Sequence, residues 1–550
     1  MSVATEYDFI VVGGGTSGCI LAERLSADPT HRVLLLEAGR PNRNQLLRIP
    51  MTARNFWTNP KYLWNYQSEP EPSVNGRRIP VPRGKILGGS GAINGMLYAR
   101  GHPRDYDQWR QLGNEGWSYE DVLPYYKRVE RDSHGATAYH GVDGPLAISR
   151  NVGGNKLTPL FAAAAKDAGI PFNDDQNGPD SEGFGIPDLT IDKGERASTY
   201  SAFLRPAMGR PNLQVETHAQ ATRIVIDHGR ATGIDYVRDG ERFHADAARE
   251  IVLCGGAYNS PQLLMLSGIG PADALRQVGV APIHDLPGVG RNLQDHAGVS
   301  VINLATQPVS MIDRLRWDRL IMSVMRWAMS RDGTVATQPV VGNSWYRSRP
   351  ELERPDIQTL IVASSPFAGP WFPGIKKPAP HMIASRSGLQ HPDSRGWMTL
   401  ASADPFAAPR IYFNLFSAPG DLAVLRYAIR KVRAIFAAPQ LKHFMGREII
   451  PGPDLTTDAQ LDEFIRNTTT TAYHPVGTCK MGSDPDAVVD AKLRVRGIAG
   501  LRVADASIMP TITGGNTNAP CVMIGDKAAA MILGLELPRA ELGTSRLAAE

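Results

Sequence analysis

Tyr7-Asp8-Phe9-Ile10-Val11-Val12-Gly13-Gly14-Gly15-Thr16-Ser17-Gly18 sets a short, mostly apolar run directly against a glycine-rich turn. The run reads as a buried strand. An apolar-periodic segment through Cys19, Leu21, Ala22 and Leu25 then reads as a helix, and Val33-Leu34-Leu35-Leu36 as a second strand ending in Glu37. Each part has a physical task. Gly13 permits a tight turn, Gly15 lets a pyrophosphate approach the backbone, and Gly18 lets helix and strand pack closely. The helix N-terminus offers unpaired N–H groups and a positive dipole end to phosphates. Glu37, nineteen residues past Gly18, is placed to accept hydrogen bonds from a ribose. The unit predicts a dinucleotide site without deciding between FAD and NAD. Glu37 argues against NADP, although Arg40 lies close enough to receive a 2′-phosphate.

A chain of 550 residues exceeds one ordinary core, so two or more domains are expected. Lys and Arg (59) nearly balance Asp and Glu (55), and no basic run stands out, which argues against a nucleic-acid partner. Abundant glycine (54) and proline (42) suit a loop-rich enzyme. Cys19, Cys254, Cys479 and Cys521 are far apart and form no C-x-x-C, so neither a disulfide framework nor a zinc site is expected, and a reducing, cytoplasmic setting fits. The histidines show no metal-ligand spacing, and no metal is expected. There is no signal-peptide pattern and no run of about 18 apolar residues, so no membrane span is expected.

Farther along, Arg83-Gly84-Lys85-Ile86-Leu87-Gly88-Gly89-Ser90-Gly91-Ala92-Ile93-Asn94-Gly95 concentrates small residues, as close backbone approach requires, and predicts a second glycine-rich cradle at a helix start. Leu213 to Ile226 and Gly233 to Val237 read as β-rich. Glu250-Ile251-Val252-Leu253-Cys254 reads as a buried strand, followed by a helix over Ser260 to Ser267 with Pro261 in its first turn and Gly268 at its end. Strand, glycine and helix thus recur far from the first unit, which predicts a sheet completed by discontinuous segments. Between about Val299 and Asp462 strand-like pieces alternate with long loops and frequent aromatics (Trp345, Tyr346, Phe367, Trp371, Phe372, Trp397), and this reads as an α+β domain with an antiparallel sheet. Within it, Arg314 to Met329 mixes basic and apolar residues at helical spacing. The plainer reading is a helix with its basic residues on the wet side; the other is a surface that touches membrane or an apolar substrate. Leu422 to Phe436 and Ala519 to Leu533 read as helices. Leu501 to Asp505 reads as a short strand ending in an acid, and Asp505 reads either as a contact to a cofactor's polar chain or as a turn acid.

Five ordered blocks resemble the glucose–methanol–choline oxidoreductase family of flavoproteins: Gly13 to Gly18 with Glu37-Ala38-Gly39; Arg83 through Asn94; Gly256-Ala257-Tyr258-Asn259-Ser260-Pro261 through Gly270; Pro287-Gly288-Val289-Gly290-Arg291-Asn292-Leu293-Gln294-Asp295-His296; and Tyr473-His474-Pro475-Val476-Gly477-Thr478 with Asn516-Thr517-Asn518-Ala519-Pro520. Among its members the chain resembles the choline-dehydrogenase-like and aryl-alcohol-oxidase-like bacterial ones. The resemblance implies an α/β fold: a Rossmann-like FAD-binding domain from residues 1–150, 195–300 and 462–550, and a substrate domain from 151–194 and 301–461. It implies cofactor contacts from Gly13, Gly15, Thr16, Ser17, Gly18, Glu37, Ala38, Arg83, Gly88, Gly89, Ser90, Asn94, Ala221, Asp505, Ala506 and Thr517.

It also implies that His474 takes the proton of an alcohol while a hydride leaves for the flavin, a role that suits a neutral imidazole. Asn516 would hydrogen-bond the alcohol oxygen. Ile93 stands where some members carry a flavin-linked histidine, so dissociable FAD is expected. The expected reaction is oxidation of a primary alcohol, aromatic or otherwise apolar, to an aldehyde, with oxygen or another acceptor taking the electrons. A hydroxynitrile lyase without net redox is the alternative. His296, although beside an acid, is expected to be a structural element.

Overall fold

The computed structural model describes residues 6–150 and 155–542; parts of the segments named above at 1–5, 151–154 and 543–550 lie outside it. Glu6–Val12 is a strand with Ile10 and Val11 fully buried, flanked by Val33–Leu36 on one side and Glu241–Leu253 on the other, both parallel to it. Leu213–Glu216 extends the sheet beyond Val33–Leu36, and Leu501–Val503 joins parallel to the end of Glu241–Leu253. The 13-residue strand Glu241–Leu253 joins the parallel and antiparallel parts of one sheet: its first half pairs antiparallel with Arg230–Arg238, which pairs with Ala219–Asp227. In this way the parallel strands bring Val12, Leu36, Leu253 and Val503 to one edge. Gly13, Glu37, Cys254-Gly255 and Asp505 follow there, at the carboxyl ends where open α/β sheets bind ligands.

The helix Thr16–Leu25 begins three residues earlier than the apolar periodicity suggested, because Gly15 already has an extended N-cap backbone. It packs on the last helix, Asn518–Leu533, with Thr16 Oγ1 donating to Asn518 Oδ1 (2.8 Å) and Ser17 Oγ to the Cys521 carbonyl (2.8 Å). The helix after Leu253 spans Gly256–Leu266, so Pro261 sits inside it rather than in its first turn. The carbonyl that Pro261 cannot reach, that of Ala257, accepts from Thr478 Oγ1 at 2.6 Å. The second glycine-rich block does not open a helix. It makes one 3-10 turn, Gly89–Ala92, because Gly88 and Gly89 both take positive φ (92° and 54°) that a right-handed helix cannot use.

A second, antiparallel sheet runs in the order Met445–Ile450, Ala297–Ala305, Met382–Leu389, Ile357–Val362, Val340–Tyr346, Gly183–Gly185, with Thr470–Thr471 paired to Ala297–Gly298. The helix Pro419–Phe436 packs on it, burying Leu422, Leu425, Ile429 and Val432. Side chains alternate across a strand. Thr359 and Ile361 are buried, whereas Gln358 and Leu360, with Arg386 and Gly388 of the next strand, line a cavity. Chain order and sheet membership interleave: Ala297–Ala305 crosses residue 300, and Thr470–Thr471 precedes the last strands of the first sheet.

Candidate active site

One cavity of about 640 Å³ runs between the two sheets. Of the residues expected at a cofactor, Gly13, Gly15, Thr16, Ser17, Glu37, Ala38, Arg83, Gly89, Ser90, Asn94, Ala221, Asp505, Ala506 and Thr517 line it, as do His474 and Asn516. Gly18 and Gly88 do not. A Cβ on Gly18 would lie 1.9 Å from the Gly13 carbonyl oxygen, so Gly18 serves helix–strand packing. Gly88 donates its N–H to the Gly14 carbonyl (2.7 Å) and joins the two glycine-rich loops. Gly15 differs from its neighbours. A Cβ there would meet no protein atom closer than 3.8 Å, and the space beside it belongs to the cavity. Bare backbone facing open volume at a helix N-terminus is what a pyrophosphate needs.

Glu37 closes this end. Its carboxylate accepts from the backbone N–H of Gly14 (2.8 Å) and of Gly39 (2.7 Å), and burial pushes its pKa up to about 7. Asp505 is a turn acid, accepting from the backbone of Ser507 (2.8 Å) and Gly256 (2.8 Å) and from the hydroxyls of Ser260 and Ser507. It lines the cavity with both oxygens already engaged. Asn94 likewise gives its side-chain oxygen to Arg196 (2.7 Å) and to the Met96 N–H (3.0 Å). Arg196, a buried cation without a carboxylate partner among the described residues, holds this loop through the carbonyls of Leu47, Gly91 and Asn94.

At the other end, residues 292–298 and 470–477 run antiparallel: Ala297 pairs with Thr471, Gln294 with Val476, and the Ala472 N–H donates to the His296 carbonyl (2.8 Å). Tyr473 takes a positive φ of 64°, its carbonyl held by Arg83 Nη1 (2.8 Å), and the next N–H, of His474, donates to Asp295 Oδ1 (2.9 Å). The His474 ring then lies between two partners, His296 Nδ1 at 3.0 Å from its Nδ1 and Asn516 Nδ2 at 3.1 Å from its Nε2. An amide nitrogen only donates, so Nε2 of His474 is the acceptor. Its proton therefore sits on Nδ1 and is donated to His296 Nδ1. Loss of solvation, then the neighbouring His296 and the cations Arg83 and Arg386, hold the His474 pKa well below the ordinary imidazole value. The ring is neutral at neutral pH, with its basic lone pair turned into the cavity beside Asn516.

Sequence reading set His296 aside as structural, and the structure places it against His474. It also missed Arg386, which donates to the carbonyls of Thr470 and Thr471 (both 3.0 Å), and Gln390, whose side-chain oxygen receives the Gly515 N–H (2.6 Å) next to Asn516. The Gln294-Asp295-His296 triplet was visible in the sequence. Arg386 and Gln390 carry no motif. None of the six aromatics noted in the α+β stretch lines the cavity. Trp345 and Tyr346 are core, Trp397 stacks on Tyr412 (5.1 Å), and Phe367 is exposed. The cavity's aromatics are Trp57, Trp64 and Tyr473.

The residues present fit a dinucleotide flavin at one end and a proton-accepting site at the other; the buried, unpartnered Oδ1 of Asn516 awaits a donor there. This defines a flavoprotein oxidoreductase, and the chain belongs to the GMC oxidoreductase family, whose N-terminal part matches residues 7–298 and whose C-terminal part matches residues 392–525. It is an FAD-dependent alcohol oxidoreductase. The chain is 43% identical over 538 residues to the mitochondrial choline dehydrogenase of Mus musculus, covering 96% of this chain and 90% of that protein. It is also 43% identical to the oxygen-dependent choline dehydrogenase of Sinorhizobium medicae, covering 96% of each. Among solved structures it is similar to pyridoxine 4-oxidase from Mesorbium loti, with 31% identity, a TM-score of 0.84, and coverage of 95% of this chain and 98% of that one.

Proposed function

We propose that this protein oxidises a primary alcohol carrying an apolar or aromatic group to the aldehyde, with His474 as general base, Asn516 as the ligand of the alcohol oxygen and FAD held without a covalent link. The residues that hold FAD are those of the glycine-rich loops and Glu37, and the bound flavin supplies the hydride acceptor. The observation that carries the reading is the neutral His474 ring, with Nε2 aimed at Asn516. An alcohol oxygen placed between Nε2 and the Asn516 amide gives its proton to Nε2 and keeps the amide N–H. Arg83 and Arg386, which weaken His474 as a base, equally stabilise the alkoxide as it forms. His296 holds the other ring nitrogen throughout.

The substrate class rests on the lining. Glu37 and Asp505 are the carboxylates on the cavity wall among the described residues, one at the opposite end and one fully hydrogen-bonded. The rest of the wall carries Trp57, Ile93, Met96, Leu97 and Leu360, with Arg386 near His474. That lining favours an uncharged alcohol over a quaternary ammonium, although the curated relatives named above are choline dehydrogenases. Ile93 on the wall offers no nucleophile to a flavin, which supports dissociable FAD. The four unpaired cysteines support a reducing compartment such as the cytoplasm. The segments 1–150, 195–300 and 462–550 are proposed as the cofactor unit and 151–194 with 301–461 as the substrate unit.

Anaerobic mixing of the holoenzyme with benzylic and aliphatic alcohols and with choline tests the reading. Bleaching of the flavin band by the uncharged alcohols, and weaker bleaching by choline, is the expected result. Aldehyde release from cyanohydrins without bleaching would instead establish a lyase. Admitting oxygen afterwards and measuring peroxide identifies the acceptor.

A further inference from the structure

The helix Trp317–Ser330 uses one face for the core and leaves the other bare. Leu320, Val324 and Trp327 pack on Ile49, Met51, Val335 and Ala336, and Trp327 Nε1 donates to the Gly194 carbonyl (2.8 Å). The outward side is not the polar surface that a water-facing helix presents. Trp317, Ile321, Met322, Met325 and Met329 form a stripe there at helical spacing, between 49% and 80% exposed. The neighbouring loop continues it. Trp371 is tied to the helix start by the Trp317 N–H on its carbonyl (3.0 Å) and by its own Nε1 on the Ile312 carbonyl (2.8 Å), and beyond it Phe367 and Ile375 are 68% and 84% exposed. Single exposed apolar side chains are ordinary; a continuous patch of this kind marks a binding surface.

The charges around the patch are one-sided. Residues 311–332 and 366–377 hold seven Lys or Arg and three Asp. Asp318 is engaged by Arg316 through two contacts of 2.6 Å, and Asp332 is paired with Arg326. Arg314, Arg319, Lys376 and Lys377 are exposed. We propose that this face docks in the plane of an anionic lipid bilayer, the apolar stripe entering the acyl boundary and the basic side chains meeting the headgroups. At 14 residues the helix is about 21 Å long and lies along the surface rather than across it; no helix among the described residues is long and apolar enough to cross a membrane. A second copy of the chain is the poorer occupant, because a two-fold contact sets the same basic rim against itself.

A short run of chain joins this face to the cavity. The segment under the helix, through Ile49 and Met51, runs on to Trp57, which lines the cavity and is 40% exposed, while Arg54 donates to the Pro366 carbonyl of the docking loop.

Flotation of the holoenzyme with vesicles of phosphatidylcholine alone, and of an equal mixture with phosphatidylglycerol, tests the proposal. Binding to the mixed vesicles, weakened by salt and weaker still on phosphatidylcholine, is expected. Met322→Glu with Met325→Glu, and separately Lys376→Glu with Lys377→Glu, should each lower it about tenfold or more. Flavin content, thermal unfolding and turnover with a water-soluble acceptor should stay as in the wild type, since all four side chains are exposed. Should Met322→Glu with Met325→Glu fold poorly, Met322→Gln with Met325→Gln reads the same loss. Wild-type protein that fails to float, or variants that float equally well, would overturn the proposal. So would light scattering that shows a dimer abolished by the methionine variants without any vesicle binding, which would assign the face to a second copy.

Discussion

His296 Nδ1 lies 3.0 Å from His474 Nδ1 across 178 residues of sequence, with the ring planes at 84°. Burial lowers the His296 pKa to about 4, so this ring stays neutral and accepts the His474 proton rather than competing for it. The contact fixes which nitrogen of His474 faces the cavity. Replacing His296 with Ala should slow flavin reduction by about tenfold or more, within the ~10²–10⁴ that a general base contributes. His296→Asn, which keeps an acceptor in the same place, should recover much of the rate. Stopped-flow reduction with measured FAD content separates this positioning role from a loss of fold, which Asn would not rescue.

His474→Ala should slow reduction by about 10²–10⁴ while FAD stays bound, because the His474 ring is held by His296 and Asn516 and not by Glu37 or the first glycine-rich loop. Asn516→Ala should cost less, since it removes one hydrogen bond to the alcohol oxygen and leaves the base in place. The reverse ranking would exchange the two roles.

The lowered pKa of His474 sets the acid side of the pH profile. With His474 as the proposed base, the active form is the neutral ring, present above its pKa, so kcat/KM for reduction should hold as pH falls through the ordinary imidazole value of 6.5 and decline only well below it. Arg386 contributes to the lowering; Arg386→Met should move that decline toward higher pH. A wild-type profile that falls through 6.5 would contradict the assigned environment.

Glu37 has the opposite sign. Its pKa rises from 4.5 in the unfolded chain to about 7, so its contribution to stability is present below 4.5 and is lost as pH rises to about 7. Denaturant midpoints of the FAD-free protein should fall across this window, and Glu37→Gln should flatten the fall. Ribose hydroxyls donating to the carboxylate favour its ionised form, so the holoenzyme should show less of this slope.

Thr478→Val should destabilise the fold by about 1–3 kcal/mol, because the Ala257 carbonyl, which Pro261 leaves without its i+4 N–H, would lose the Thr478 hydroxyl. Thermal unfolding of the holoenzyme measures it; an unchanged midpoint would mean that water replaces the hydroxyl.

The sequence by itself determined the local unit at one end of the cavity. Gly13, Gly18 and Glu37 act within one local strand–turn–helix–strand unit, where backbone sterics dictate residue type, so their reading needs no distant partner. Periodicity likewise marked the buried strands and the helices Pro419–Phe436 and Asn518–Leu533 to within a few residues. Tertiary structure alone decided the rest. Pro261 moved inside its helix because a hydroxyl more than two hundred residues away satisfies the freed carbonyl. Arg386 and Gln390 reached the site through sheet register, and His296 met His474 through the antiparallel run of 292–298 against 470–477. The stripe from Trp317 to Met329 had a legible period, but a period does not say which face is covered. Ile49, Met51 and Val335 settled that by packing on the other side. Local conformation is written in neighbouring residues; contacts between segments depend on which surfaces the whole chain brings together and buries.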